Sequence, residues 1–190
     1  MNKEQEKPTN PDETIRKYYD PNSRAYYLLI HHSRLVAQKA VQIAKRVRHL
    51  NPDMQFIEQA AMLHDIGILY TDAPRLGCHG HAHYLCHGYI GRQLLEKEGL
   101  AKHALVCERH VGVGITADEI KKNKLPLPER DMVPVSLEEQ IICFADKFFS
   151  KSEDDLMHEK PLGIVRAMIS EYGEDRLKTF DEWVSIFIPA

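Results

Sequence analysis

Apolar positions recur along this chain with a helical period, and strict alternation of the strand type is missing. After the capping pair Asn22-Ser23, residues Ser33, Leu35, Val36, Ala40, Val41, Ile43, Ala44 and Val47 fall on a stripe with a period near 3.6. Arg34, Gln38, Lys39, Lys45, Arg46 and Arg48 fall off it. This spacing predicts one long helix. Upstream, Asp20-Pro21 ends a short helix over Asp12–Tyr19, and residues 1–11 are polar enough to be disordered. Downstream, Asn51-Pro52-Asp53 breaks the chain and caps a second helix, whose inner face is Phe56, Ile57, Ala60, Ala61, Leu63 and His64.

The pattern then loosens. Ile68 to Gly80 reads as a loop holding Pro74 and Gly77, and a helix starts within the run from Cys78 to His87 and continues to Gly99. Gly91, one turn after His87, would let another backbone or a ligand approach closely. Leu100–His110 reads as a further helix. Thr116-Ala-Asp-Glu119 and Ser136-Leu-Glu-Glu139 are capping boxes, each opening a helix. Between them, the prolines from Pro126 to Pro134 forbid regular helix. Ile141, Ile142, Ala145, Phe148 and Phe149 make the next apolar face. Two more helical patterns follow, around Leu162–Tyr172 and Glu174–Phe187. No strand pair is legible, so the expected class is all-α.

Composition narrows the setting. A chain of 190 residues suits one domain, able by size alone to bury about 70% of its unfolded surface. The net charge of −3 offers no basic surplus for a nucleic-acid polymer or an anionic membrane. No apolar run reaches membrane-spanning length and the first residues lack a signal-type core, so a cytoplasmic setting is expected. The four cysteines form no CxxC pair and are expected to be reduced thiols.

Histidine changes the picture. There are 11, five of them between His64 and His87. The second helix ends in Ala60-Ala61-Met62-Leu63-His64-Asp65-Ile66-Gly67. Adjacent imidazole and carboxylate groups at a packing position are costly unless something binds them, and a metal ion is the usual binder. Gly67 stands where a left-handed cap would end the helix. His32 lies one turn before Val36, on or beside the buried stripe. With His87, His110 and Asp146, the candidates come to four imidazoles and two carboxylates on separate helices. They suffice for two metals if Asp65 bridges them. Such ions, about 3.5–4 Å apart, can activate a water between them and clamp a phosphoryl group. One metal with scattered histidines is the alternative reading.

These residues resemble the HD-domain superfamily of metal-dependent phosphohydrolases over roughly residues 23–150. His64-Asp65-Ile66-Gly67 matches the HDIG form of the signature. His32-Ser33 with Val36, Ala37 and Ala40 is similar to the first-histidine helix. His87-Gly88 with Gly91 resembles the third-histidine helix, Arg109-His110 the fourth, and Ile141–Lys147 the closing aspartate helix. The resemblance implies a five-helix core extended by residues 151–190. It places His32, His64, Asp65 and Asp146 on one metal, with His87 and His110 on a second. It implies two divalent transition metals (Fe, Mn, Ni or Zn), a metal-bridging hydroxide as nucleophile, and a small phosphate ester, such as a nucleotide, as substrate. Asp65 and Lys147 are then the expected catalytic groups, and Arg75 and Arg109 the expected substrate-binding ones. The phosphodiesterase branch carries Lys after HDIG and a GYP signature. Here Ile68 and Gly88-Tyr89-Ile90 stand instead, which argues against a cyclic dinucleotide.

The same ligand set also serves diiron oxygenases, and a non-catalytic metal-binding sensor is a third possibility. His79, His81 and His83 are expected in a solvated loop, and His31, His49, His103 and His158 on the surface. The apolar end around Trp183–Ile188 would cover the core or a partner, which leaves the oligomeric state open.

Overall fold

The computed structural model describes residues 9–188, so the expectation of disorder over residues 1–8 lies outside it. Within it, Asn10 already accepts from the backbone N–H groups of Asp12 and Glu13 and caps helix α1 (Pro11–Arg16). Ser23 caps α2 (Arg24–Arg46) and Asp53 caps α3 (Met54–Leu63), as the spacing predicts. The chain continues through α4 (His87–Lys97), α5 (Ala101–Arg109), α6 (Ala117–Asn123), α7 (Leu137–Asp146), α8 (Leu162–Ser170) and α9 (Glu174–Phe187). The Thr116–Glu119 capping box is closed in both directions.

One departure from the all-helix reading lies between α3 and α4. Asp72–Ala73 (β1) and Cys78–His79 (β2) pair antiparallel across Pro74–Leu76, with Gly77 left-handed at φ 75°. Strands of two residues are too short to leave an alternating pattern. The helix expected from inside Cys78–His87 begins at His87, after a 3-10 turn over Tyr84–Cys86.

Gly67 has a different reason from the one its position suggests. It does not take the left-handed conformation; the chain passes through His64 and Asp65 into a 3-10 turn over Ile66–Tyr70. The constraint is the approach of α4: a Cβ on Gly67 would stand 2.1 Å from the His87 carbonyl oxygen and 2.4 Å from Gly91 N. Gly91 meets it from the other side, as its lack of a side chain suggests, with Gly67 N 3.3 Å from where its own Cβ would be.

Two apolar clusters make the core. One joins the second half of α2 (Val36 to Ala44) and Val47 just after it to Ile57, Ala60, the α7 stretch Ile141–Ala145 and the aromatic rings Phe180, Trp183 and Phe187 of α9. The C-terminal end thus covers the chain's own core. The other joins α1 and the start of α2 (Ala25, Leu29, Ile30) to Leu63, Ile66, Leu95, Ala104 and Cys107. His32 on α2 and His64-Asp65 after α3 fall at the change from one cluster to the other. His103, expected on the surface, is buried at 3% exposure with its ring edge-on to Phe56 at 4.9 Å. It stands four residues before Cys107, on the same buried face of α5.

Candidate metal centre

The ends of four helices build the centre, joined by His32, which stands inside α2. His64 and His110 cap the C-termini of α3 and α5, Asp146 is the last residue of α7, and His87 opens α4. Three C-terminal ends therefore point their partial negative charge inward, an arrangement that favours a cation. All six side chains are buried, from 0% exposure at His32, His64 and Asp65 to 7% at Asp146.

Backbone carbonyls orient the rings. Nδ1 of His64 lies 2.6 Å from Ala61 O, that of His87 2.7 Å from Tyr84 O, and that of His110 2.7 Å from Cys107 O. A carbonyl can only accept, so each Nδ1 carries a proton and each Nε2 is the atom left facing the interior. His87 Nε2 and His110 Nε2 are 3.1 Å apart, and each is 3.3 Å from Asp65 Oδ1. Three acceptors at that spacing are complementary to a cation.

The second group repeats this on the other oxygen of Asp65. His32 Nε2 is 3.3 Å from Asp65 Oδ2 and 3.0 Å from Asp146 Oδ1; His64 Nε2 is 3.1 and 3.4 Å from the same two atoms. These separations are the edges expected of a coordination polyhedron with bonds of about 2.1 Å. Neither Asp65 oxygen, nor His64 Nε2, has an aligned hydrogen-bond partner despite full burial. Two sets of donors, His32–His64–Asp65–Asp146 and Asp65–His87–His110, can thus each hold a metal ion, with Asp65 shared.

The electrostatics of the two sides differ. Burial alone would drag the His64 imidazolium down, yet Asp65 and Asp146 push its pKa up to about 9, so without a metal this ring carries the positive charge that a bound cation would replace. Burial would raise both carboxyls, but His64 and Lys151 hold Asp65 well below the usual carboxylate range, and Lys147 and Lys151 do so for Asp146. On the other side burial dominates: it lowers His87 to about 3, and lowers His110. Both stay neutral, as a metal ligand must.

The cations sort differently from the sequence reading. Lys147 is buried, and donates to Asp146 Oδ2 at 2.7 Å and to His110 O at 3.0 Å. Its ammonium thus ties two ligand-bearing helix ends together. Lys151, not singled out by sequence, sits 2.8 Å from Asp65 Oδ2 and 3.8 Å from Asp146 Oδ1. Burial acts to lower its pKa, but Asp65 and Tyr84 raise it above that of a free lysine. Its one trace in the sequence is its spacing, four residues after Lys147 in a polar run. Arg109 is committed to Glu139, with Nη1 at 2.9 and 3.0 Å from its two oxygens, and Arg75 is exposed on the β1–β2 turn. Neither arginine forms an ion pair with Asp65 or Asp146, so the cations the fold brings to the ligand carboxylates are Lys147 and Lys151. His79, His81 and His83 are exposed, as expected, and the four cysteines are free and buried.

The helical fold and the two donor sets that share Asp65 define an HD-type metal-binding domain. The chain belongs to the HD domain family, whose model matches residues 29–150. It is 31% identical over 144 residues to the uncharacterized protein MJ0778 of Methanocaldococcus jannaschii, covering 71% of this chain and 78% of that one. It is also 34% identical over 123 residues to a tRNA (cytidine(56)-2'-O)-methyltransferase of Thermoplasma volcanium, covering 64% of this chain but only 32% of that protein. A methyltransferase of the same name from Picrophilus torridus is 30% identical over 141 residues, 74% of this chain and 37% of its own length. The chain therefore spans about a third of these two relatives. The HD domain of the L. monocytogenes phosphodiesterase PgpH has the same fold, with a TM-score of 0.52, 13% identity, and 95% and 97% of the two chains covered. Among the described residues no helix is long and apolar enough to cross a membrane.

Proposed function

We propose that this protein is a dinuclear metal-dependent phosphohydrolase acting on a nucleotide or other small phosphate ester. The observation that supports this reading is the gathering of two ring nitrogens at each oxygen of Asp65, His87 and His110 at Oδ1 and His32 and His64 at Oδ2, a layout suited to two cations that share one carboxylate. Fe, Mn, Ni and Zn all suit four imidazoles and two carboxylates. When bound, such a pair supplies Lewis acidity toward a phosphoryl oxygen and lowers the pKa of a bound water.

The chain's own groups do the rest. Nδ1–H bonds to carbonyls fix three of the rings, Asp65 sets the spacing of the two sites, and Lys147 holds Asp146 against the end of α5. Lys151, 18% exposed at its side chain beside Tyr84, is the cation best placed to meet a phosphate entering the centre. Hydrolysis forms one P–O bond from water and breaks the ester P–O bond, and the proton that water loses ends on the leaving oxygen. Lys151 would offset the charge gathering on the phosphoryl oxygens. Arg75, from its exposed turn, could meet only the outer part of a substrate. Arg109 would first have to leave Glu139.

The test is turnover of p-nitrophenyl phosphate, its bis-ester and a panel of nucleotides by protein loaded separately with Mn and Fe, with metal content measured alongside. Hydrolysis that disappears on chelation and in Asp65→Asn is the expected result. Metal-loaded protein that cleaves none of them would sink the hydrolase reading and favour a sensor. Turnover that requires oxygen would point to the oxygenase chemistry instead.

A further inference from the structure

Beside the centre the fold encloses a cavity of about 540 Å³, a size typical of small-molecule sites. It lies between the segment following α5 and the helices α8 and α9. Three of its wall residues are chain neighbours of metal-centre residues on three different elements. Leu85 precedes His87 by two, Val111 follows His110, and Lys147 follows Asp146. None of the six ligands lines the cavity itself; what joins it to the centre is a single side chain. Lys147 is the shared wall, lining the cavity while its ammonium points to Asp146 and His110 O.

The chemistry of the walls selects the occupant. Val165 and Ile169 of α8 line it as buried side chains, and Val111 and Leu125 as half-buried ones. Both lining cations are already paired: Lys147 with Asp146, and Arg176 with Glu119 at 2.7 Å and with Gly114 O at 2.7 Å. A second phosphate placed here would lose its water without gaining a free cation, which is costly. An uncharged ring loses nothing of the kind and gains apolar contact. The rim carries Met168 and Tyr172, 43% and 72% exposed, two side chains suited to lie against an aromatic face.

We propose that this cavity holds the organic part of the substrate, an uncharged aromatic group of nucleobase size or larger, carried on a single phosphoryl group that reaches the metal ligands past Lys147. The inference rests on reading the centre as a phosphoryl site, and it makes polyphosphate-bridged substrates poor ones.

Two measurements test it. The first compares kcat/KM for 1-naphthyl phosphate and methyl phosphate, which present the same phosphoryl group, in Mn-loaded protein. The ratio is expected to exceed about tenfold and to fall toward one in Leu125→Trp, which fills the cavity. The second needs no turnover: equilibrium binding of the uncharged fluorophore N-phenyl-1-naphthylamine. It should bind one per chain, be displaced by 1-naphthyl phosphate but not by methyl phosphate, and weaken at least about tenfold in Leu125→Trp. Met168→Asp, at an exposed rim position where the fold tolerates polarity, is the second variant should Leu125→Trp fail to fold. An unchanged naphthyl-to-methyl ratio, or probe binding indifferent to both variants, overturns the cavity assignment. If neither ester is cleaved, the hydrolase reading fails by itself, and displacement of the fluorophore still decides the cavity.

Discussion

His87 Nε2 and His110 Nε2 face each other at 3.1 Å with no proton between them, because each ring has spent its N–H on a backbone carbonyl. Two neutral imidazoles held lone pair to lone pair repel, and the closest charge, Asp65 Oδ1, is also an acceptor. Such a pair persists in a folded protein when a cation joins it. Removing both rings by His87→Ala with His110→Ala should therefore remove one cation and leave the other group of four ligands intact. Metal analysis of protein purified without chelator is expected to give about two metals per chain for wild type and about one for the double variant. One metal in both would mean these rings serve some other purpose.

Lys151 and Lys147 should respond differently to loss of charge. Lys151→Met removes the ammonium beside the shared carboxylate while leaving all six ligands in place. Turnover of a phosphate ester is expected to fall by about 100-fold, with metal content unchanged. Lys147→Met instead breaks a buried pair with Asp146. It should lower the stability of the chelated protein by about 3 kcal/mol in urea denaturation. Equal kinetic losses with equal metal content in the two variants would contradict this division of roles.

Gly67 has no room for a methyl group. Its absent Cβ would stand 2.1 Å from His87 O, and His87 is the first residue of α4. In Gly67→Ala either α4 or the turn after Asp65 must move, and both carry ligands. A destabilisation of about 3 kcal/mol or more is expected, at the upper end for overpacking. Loss of metal from the His87–His110 side should accompany it, read by denaturation and metal analysis together. A variant with wild-type stability and two metals would show that the turn can yield.

The order of the ligand-bearing elements was legible because each ligand breaks a simple pattern: an imidazole on an apolar stripe at His32, or a histidine or acid at the last turn of a helix at His64, His110 and Asp146. Caps at Ser23, Asp53, Thr116 and Ser136 were legible for the same local reason. What escaped depends on contacts between distant segments. The need for glycine at position 67 comes from α4, which begins 20 residues further along the chain, and not from its own backbone angles. Lys151 lies in a polar run with no period, so nothing local distinguishes it from a solvated lysine. His103 could have been found, since it shares a face with Cys107 one turn on. Arg109 could not, because its partner Glu139 belongs to another helix.

Tyr19 supports the centre from a distance. Its buried hydroxyl donates to Ile66 O at 3.0 Å and accepts from Leu69 N at 2.9 Å, closing the turn that follows Asp65. Tyr19→Phe keeps the ring and its packing but leaves a buried acceptor and a donor without that partner. The expected cost is about 1–3 kcal/mol, measured by thermal or urea unfolding. No measurable change would mean that water replaces the hydroxyl.

The cysteines give a prediction about pH whose sign can be worked out. Burial pushes the Cys78 thiol up to about 11 and the Cys107 thiol well above its ordinary 9.0. In the unfolded chain both would ionise near their ordinary value, so above pH of about 9 the unfolded state binds fewer protons than the folded one. Stability must then fall as pH rises through that window, by up to about 1.4 kcal/mol per pH unit for each thiol that titrates only on unfolding. The same protonation keeps the sulfurs inert: at pH 8 the native protein should react negligibly with a disulfide reagent, while in guanidinium all four cysteines react. Cys107 is the sensitive reporter, since it donates to Leu63 O at 3.2 Å directly before the His64-Asp65 pair. If it is labelled quickly in the native state, α3 and α5 separate there readily, and the geometry at Asp65 is looser than its burial indicates.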